Sequence, residues 1–114
     1  MRYQVSKVVR FIDGDTFKAK LCGYDEVLSI RVYGIDCPEL KGQCNYERQL
    51  AATAAAFTKQ VLQSAEVIVV SVQDVDVYDR VVCHVFCDGK SLRKLLINRG
   101  LARVYEGFKR NWCR

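Results

Sequence analysis

The sequence lacks any long apolar run and has one proline, one histidine and no Cys-x-x-Cys pair. Without about 20 consecutive apolar residues, a membrane-spanning helix is not expected. Without clustered cysteine and histidine at ligand spacing, a structural zinc site is not expected either. Repeats, low-complexity stretches and linkers are also absent, so residues 1–114 are expected to form a single domain.

The first residues do not resemble a secretory signal, which leaves two compartments open. The protein is either cytoplasmic, or secreted or periplasmic with its signal removed. Lysine and arginine outnumber aspartate and glutamate by 18 to 13, which gives a formal charge of +5. This excess favours a polyanionic partner such as a nucleic acid, although it is modest.

Six cysteines are an even number, which is compatible with disulfides but below the density of a disulfide-based scaffold. Cys83 and Cys87 would lie roughly 13 Å apart along one strand, too far to bond to each other. Proximity in the sequence favours a bridge between Cys37 and Cys44. Six free thiols in a reducing compartment are an equally good interpretation.

Apolar periodicity predicts short strands separated by two helices. The Asp13-Gly14 pair predicts a hairpin turn after the first strand. Asn45 is the predicted cap of the first helix, and Gly100 the predicted end of the second. No structure is predicted for the tail, residues 106–114. The predicted strands are 3–11, 16–21, 27–35, 66–75 and 81–86, with helices from 45 and over 91–99 and an extended piece at 101–105.

This order of elements predicts a mainly β fold with helices, of the α+β class. Five short, evenly spaced strands fit a five-stranded barrel of the OB type with two to three helices. Barrels of this type often bind oligonucleotides on one face, but fold alone does not establish function.

Two aspartates end neighbouring predicted strands, Asp15 after the first turn and Asp36 after the third strand. Such carboxylates can converge on one hard cation, with a backbone carbonyl and waters completing the shell. The competing interpretation is that Asp13-Gly14-Asp15 is only a turn. Residue types alone do not decide between the two.

Arg31 interrupts an apolar strand, Arg80 follows a turn and Glu39 follows the single proline. Arginine matches the planar geometry of phosphate oxygens and stays charged at working pH. A spare glutamate can orient or deprotonate a water molecule. Each residue, taken alone, could equally be a solvated surface side chain. Together with a cation site they predict phosphodiester hydrolysis.

Taken in order, these segments resemble the staphylococcal nuclease (thermonuclease) family over about residues 9–104. The ordered set is far more specific than any single motif. It comprises Asp-Gly-Asp-Thr at 13–16, Arg-x-x-x-x-Asp-x-Pro-Glu at 31–39, Ala-Phe-Thr-Lys at 56–59, Asp-x-Tyr-x-Arg at 76–80, Asp-Gly-Lys at 88–90 and Arg-Gly-Leu-Ala at 99–102.

The resemblance implies a calcium-dependent phosphodiesterase that cuts DNA and RNA with little sequence preference and leaves 3′-phosphate ends. It assigns the calcium ligands to Asp15, Asp36 and the backbone carbonyl of Cys37. Arg31 and Arg80 would bind the scissile phosphate, Glu39 would serve the attacking water, and Tyr78 would contact a terminal phosphate. The implied partners are single- or double-stranded DNA or RNA, with no membrane, and the chain is expected to be a monomer.

The sequence departs from the family pattern near the site. Cys37 replaces a threonine, Asp79 replaces a glycine beside Arg80, and Val77 replaces a lysine. The family's stacking tyrosine has no clean match, because Glu106 lies nearest by count and Tyr105 one place earlier. The alternative function is a non-catalytic nucleic-acid-binding module, as found in eukaryotic scaffold proteins. Such modules are expected to lose several of the five charged site residues, all of which are present here.

Overall fold

A computed structural model describes residues 1–109 and 111–114. Within these residues eight strands and two helices follow one another, and the predicted α+β class is confirmed. In chain order the elements are β1 (Arg2–Asp13), β2 (Thr16–Leu21), β3 (Val27–Val32), β4 (Ile35–Asp36), α1 (Asn45–Ser64), β5 (Ile68–Val75), β6 (Val81–Cys87), β7 (Lys90–Ser91), α2 (Leu92–Asn98) and β8 (Arg103–Val104).

Five of the strands close into a barrel. The main sheet runs in the order β3-β2-β1-β5-β6, with the short β7 added beside β6. A parallel pairing of β3 with β6 joins the two ends of this sheet, whereas the other neighbours are antiparallel. The predicted OB-type barrel is therefore confirmed. Its interior is filled by apolar side chains from alternate strand positions, including Phe17, Ile30, Val70 and Val85.

The hairpin between β1 and β2 presents Asp15 at one end of the barrel. Gly14 allows its close contact with α1, because a Cβ at this position would lie 2.9 Å from Ala54 Cβ. The Thr58 hydroxyl of α1 also donates a 2.7 Å hydrogen bond to the Gly14 carbonyl. The predicted turn is thus correct, but here the glycine serves helix packing and has no positive φ.

The start of α1 shapes the loop that carries Glu39. The carboxylate of buried Glu47 accepts hydrogen bonds from the backbone nitrogens of Glu39 at 3.0 Å and Gln43 at 3.2 Å. The predicted cap was wrong by one residue. Cys44 is the cap and accepts from the Glu47 nitrogen through its sulfur, while Asn45 is the first helical residue. A sulfur cap is missed because cysteine does not belong to the usual capping residues.

A disulfide joins Cys44 to Cys113, so both sequence-based interpretations of the cysteines were wrong. Cys37 does not pair with Cys44, since its thiol is buried beneath the β1–β2 turn, whereas Cys44 faces the chain's last residues. The partner lies 69 residues away in the sequence, beyond the reach of an argument from proximity.

We expect this disulfide to contribute substantially to stability, because it closes a long loop in the unfolded chain. Substituting Cys113→Ser should lower the free energy of unfolding by about 2–4 kcal/mol, measured by urea denaturation. Cys22→Ser, which alters an exposed free thiol, is the matched control. Equal stability of the parent and the Cys113→Ser variant would contradict the expectation.

The tail after α2 folds back across the barrel end. α2 ends at Asn98, and Gly100 follows as the predicted left-handed stop with φ +69. The Leu101 nitrogen donates to the Leu96 carbonyl in a Schellman arrangement. Beyond it β8 pairs with β4 and brings Trp112 into a buried position. In the part of the chain described, no helix is long and apolar enough to cross a membrane.

Candidate active site

A cavity of about 100 Å³ opens at the barrel end where the β1–β2 turn, the segment after β4 and the start of β6 meet. Five of the seven predicted site residues line it, and three residues not predicted for the site join them. The lining consists of Asp13, Asp15, Arg31, Cys37, Pro38, Glu39, Arg80 and Lys109.

Asp15 is the most constrained carboxylate of the cavity. It is 9% exposed, and its Oδ1 accepts a 2.9 Å hydrogen bond from the Thr16 hydroxyl. An Arg31 terminal nitrogen lies 3.9 Å from its Oδ2. Burial and the neighbouring Asp13 carboxylate raise the pKa of Asp15 to about 7, outweighing the opposite effect of Arg31. Asp15 therefore changes charge near neutral pH when no cation is present.

This pKa makes stability depend on pH. Because the folded-state pKa lies above the usual value for aspartate, the folded state binds the Asp15 proton more tightly than the unfolded state does. With a chelator present, the contribution of Asp15 to the free energy of unfolding should fall as pH rises from 5 to 8. Urea denaturation across this range should show a shallower fall for Asp15→Asn, whose side chain does not titrate. Identical pH profiles for the parent and the variant would contradict the assignment.

Of the three lining residues that were not predicted for the site, only Lys109 lies outside the sequence motifs. Its Nζ lies 2.8 Å from Asp36 Oδ1, 3.2 Å from the Cys37 carbonyl and 3.2 Å from Glu39 Oε1. Burial lowers the pKa of Lys109, but hydrogen bonds and charge from Asp36 and Glu39 outweigh it and raise the pKa overall. The ammonium thus contacts two of the three groups predicted to bind calcium. The irregular tail that carries Lys109 gave no sequence signal.

Asp36 is 1% exposed and lies beneath the cavity, apart from its lining. Its Oδ2 accepts a 3.3 Å hydrogen bond from the indole nitrogen of Trp112, while its Oδ1 faces Lys109. The Arg103 guanidinium stacks 3.8 Å from the centre of the Trp112 ring. The tail therefore fixes the orientation of this carboxylate.

The thiol of Cys37 is buried close to three carboxylates. Burial, followed by the charges of Asp15, Asp13 and Asp36, raises its pKa far above the usual value for cysteine. A protonated thiol is neither a nucleophile nor a good metal ligand. The backbone carbonyl of Cys37, which was predicted as a calcium ligand, accepts a hydrogen bond from Lys109.

Arg31 reaches the cavity from β3, and Arg80 reaches it from the turn immediately before β6. Arg31 donates through a terminal nitrogen to the Ile35 carbonyl at 3.2 Å. Arg80 is bound through Nε to Asp76 at 2.7 Å, and Asp76 also accepts from the Tyr78 and Arg80 backbone nitrogens. These contacts orient two guanidinium groups that line the same small cavity.

The turn before β6 places Asp79 at φ +61, the left-handed region that favours glycine. Tyr78 projects from this turn with 76% of its surface exposed, and the Arg80 guanidinium lies 5.4 Å from its ring centre. Arg31 lies similarly 5.7 Å from the ring of Tyr105. Both tyrosines line a wider cleft of about 640 Å³ that shares Arg31, Arg80 and Glu39 with the small cavity.

Comparison of the sequence with known proteins identifies the family. Residues 29–113 match the family described as "Staphylococcal nuclease homologue". The chain belongs to the staphylococcal nuclease family.

The relatives of this chain include proteins named as nucleases from Bacillus subtilis and Staphylococcus hyicus. The chain is 31% identical over 104 residues to the SPbeta prophage-derived endonuclease YokF of Bacillus subtilis, covering 90% of this chain and 34% of that protein. It is 30% identical to Endonuclease YncB of the same organism, covering 90% and 48%. It is 31% identical to the Thermonuclease of Staphylococcus hyicus, covering 89% and 59%. The chain spans between a third and three fifths of the length of these relatives.

The donor chemistry of the site fits the calcium ion that family membership implies. Asp15, Asp36 and the Cys37 carbonyl are all oxygen donors, which suit a hard cation. Lys109 shows that a cation is accepted there, since its ammonium contacts both Asp36 and that carbonyl. In the described part of the chain no three acidic, histidine or cysteine side chains form a metal cluster, so the carbonyl and water would have to complete the shell.

Proposed function

We propose that this chain acts as one monomeric nuclease domain: a calcium-dependent phosphodiesterase that hydrolyses DNA or RNA with little sequence preference. The supporting observation is that Arg31, Arg80 and Glu39 share one cavity with the buried carboxylate Asp15. Membership of the nuclease family and the names of its relatives support the same reaction.

The two arginines would bind the scissile phosphodiester together, because both line the same cavity. Each guanidinium offers a planar pair of donors that matches two phosphate oxygens. Because both are already held by protein contacts, they need little reorganisation as negative charge grows on the phosphate. Preorganised donors of this kind stabilise the transition state more than the bound substrate. Tyr78, exposed at the rim of the wider cleft, would contact a terminal phosphate.

Glu39 would accept a proton from the attacking water. The new bond forms between the water oxygen and phosphorus, and the bond from phosphorus to the 5′ oxygen breaks. The products are a 3′-phosphate and a 5′-hydroxyl, the latter protonated from solvent. Glu39 suits this role because its side chain is exposed to the cleft while hydrogen bonding to Glu47 fixes its backbone.

Asp15, Asp36 and the Cys37 carbonyl would hold the calcium ion. When bound, such an ion polarises the phosphate and adds positive charge beside it. The protein contributes the fixed orientation of these oxygens, through Thr16 for Asp15 and Trp112 for Asp36.

Digestion of a single-stranded DNA oligonucleotide tests this proposal. We expect cleavage in calcium, loss of cleavage in excess chelator and recovery when calcium is restored, with products ending in 3′-phosphate. Full activity in excess chelator would overturn the metal assignment. Binding without any cleavage in calcium would instead identify a non-catalytic nucleic-acid-binding module.

A further inference from the structure

Lys109 places a positive charge at the oxygens proposed for calcium. Its ammonium contacts Asp36 Oδ1 at 2.8 Å and the Cys37 carbonyl at 3.2 Å. It also contacts Glu39 Oε1 at 3.2 Å, so one ammonium links the proposed ligands to the proposed base.

A calcium ion and this ammonium could not share these oxygens. Two cations a few ångströms apart repel, and the repulsion is weakly screened where one partner carboxylate is fully buried. The indole nitrogen of Trp112 donates a hydrogen bond to Asp36 Oδ2, which restricts rotation of the carboxylate and keeps Oδ1 in place. The Lys109 side chain is 49% exposed and can move toward solvent. The ammonium would therefore leave when calcium binds.

The tail restrains Lys109 on both sides. Before it, β8 is paired with β4; after it, Trp112 is buried and Cys113 is bonded to Cys44. Arg103 adds a 3.1 Å hydrogen bond to the Asn111 carbonyl, closing the tail on itself. These anchors raise the local concentration of the ammonium at the site, as an intramolecular ligand does.

We propose that Lys109 is a built-in competitor for calcium and that the Cys44–Cys113 disulfide holds it in place. The inference rests on the proposed function for the identity of the metal. A dithiol reductant would transfer two electrons and two protons to the bridge, giving two protein thiols and a cyclic disulfide of the reductant. The freed tail would then allow the ammonium to leave the site more readily. The site would therefore bind calcium at lower concentrations.

Calcium titration by isothermal calorimetry tests the competition directly, without measuring cleavage. Lys109→Met keeps the length of the side chain and removes its charge. We expect it to tighten calcium binding by about tenfold to hundredfold relative to the parent. Lys94→Met, an exposed lysine on α2, should leave the affinity unchanged. Should Lys109→Met fold poorly, Lys109→Gln removes the same charge, and the rise in melting temperature with added calcium gives a second readout.

The disulfide is tested in the same way. Cys113→Ser, or the parent after reduction, should bind calcium more tightly than the oxidised parent. In the Lys109→Met background, Cys113→Ser should have little further effect, because the competitor is already gone. Equal effects of Cys113→Ser in both backgrounds would overturn the link between the disulfide and Lys109.

The outcomes also separate this inference from the proposed function. If the parent and Lys109→Met bind calcium equally, the competition is wrong while the nuclease proposal stands. Weaker binding by Lys109→Met would show that the ammonium supports the ligands, which also overturns the inference. If neither protein binds calcium, both the inference and the calcium dependence fail.

Discussion

Arg31→Lys and Arg80→Lys should each cut a single-stranded oligonucleotide about 10²–10³ times more slowly than the parent. In the proposed mechanism each arginine is a preorganised donor to charge that grows in the transition state. Losing one such donor typically costs about this much in rate. Lysine retains the charge but cannot reproduce the two-pronged guanidinium geometry. The turnover number should fall more than substrate affinity does, because the lost interaction is strongest in the transition state.

The matched control is Arg99→Lys. Arg99 also lies over an aromatic ring, that of Phe57, but lines a different cavity between the two helices. The Arg99→Lys protein should cut the oligonucleotide at the parent rate. If Arg31→Lys and Arg80→Lys are both folded by circular dichroism and cut within a few-fold of the parent, the phosphate-binding roles are wrong.

Glu39→Gln should lower turnover by roughly 10²–10⁴ while leaving the fold intact. The substitution keeps the shape of the side chain and removes its basicity, so it isolates the proton-transfer role. Because Glu39 also contacts Lys109, the loss of its charge frees the ammonium in part, and calcium affinity should change little or rise. A structural role for Glu39 would instead lower stability along with activity.

The control for this substitution is Glu66→Gln, which changes an exposed glutamate in the segment that follows α1. Rates should be measured at one pH and in saturating calcium for all three proteins. Glu66→Gln should cut at the parent rate, whereas Glu39→Gln should cut slowly if Glu39 is the base. A folded Glu39→Gln protein that cuts at the parent rate would assign the base to another group.

The barrel and the positions of Asp15, Arg31 and Glu39 could be predicted because their signals are local. Alternation of apolar residues fixes which face of β3 holds Ile30 and Val32, and hence that Arg31 lies on the other face. The Asp13-Gly14 pair predicts a hairpin turn from two adjacent residues alone. Local patterns of this kind are informative because most neighbouring strands of the barrel also follow one another in the chain.

The tail could not be predicted because its structure depends on contacts across the whole chain. Trp112 contacts Asp36, and Cys113 is bonded to Cys44. No periodic pattern of apolar residues in the sequence predicts either contact. In the sequence, nothing distinguishes Lys109 from the other basic residues. Its place at the cavity depends on the pairing of β8 with β4, which brings the tail over the cavity. The raised pKa of Asp15 likewise depends on burial by α1 and the strands, which no local motif reports.

The parallel pairing of β3 with β6 has a consequence for folding kinetics. Ile30 and Val81 are neighbours in this pair although about fifty residues separate them in the chain. Bringing these strands together requires closure of a long loop that contains α1, and the entropic cost comes before the contacts form. Folding of mixed topologies with such distant contacts is slower than that of helical bundles. Since Arg31 lies on β3 and Arg80 directly precedes β6, the proposed phosphate-binding site would be assembled only in the late, closed state of the barrel.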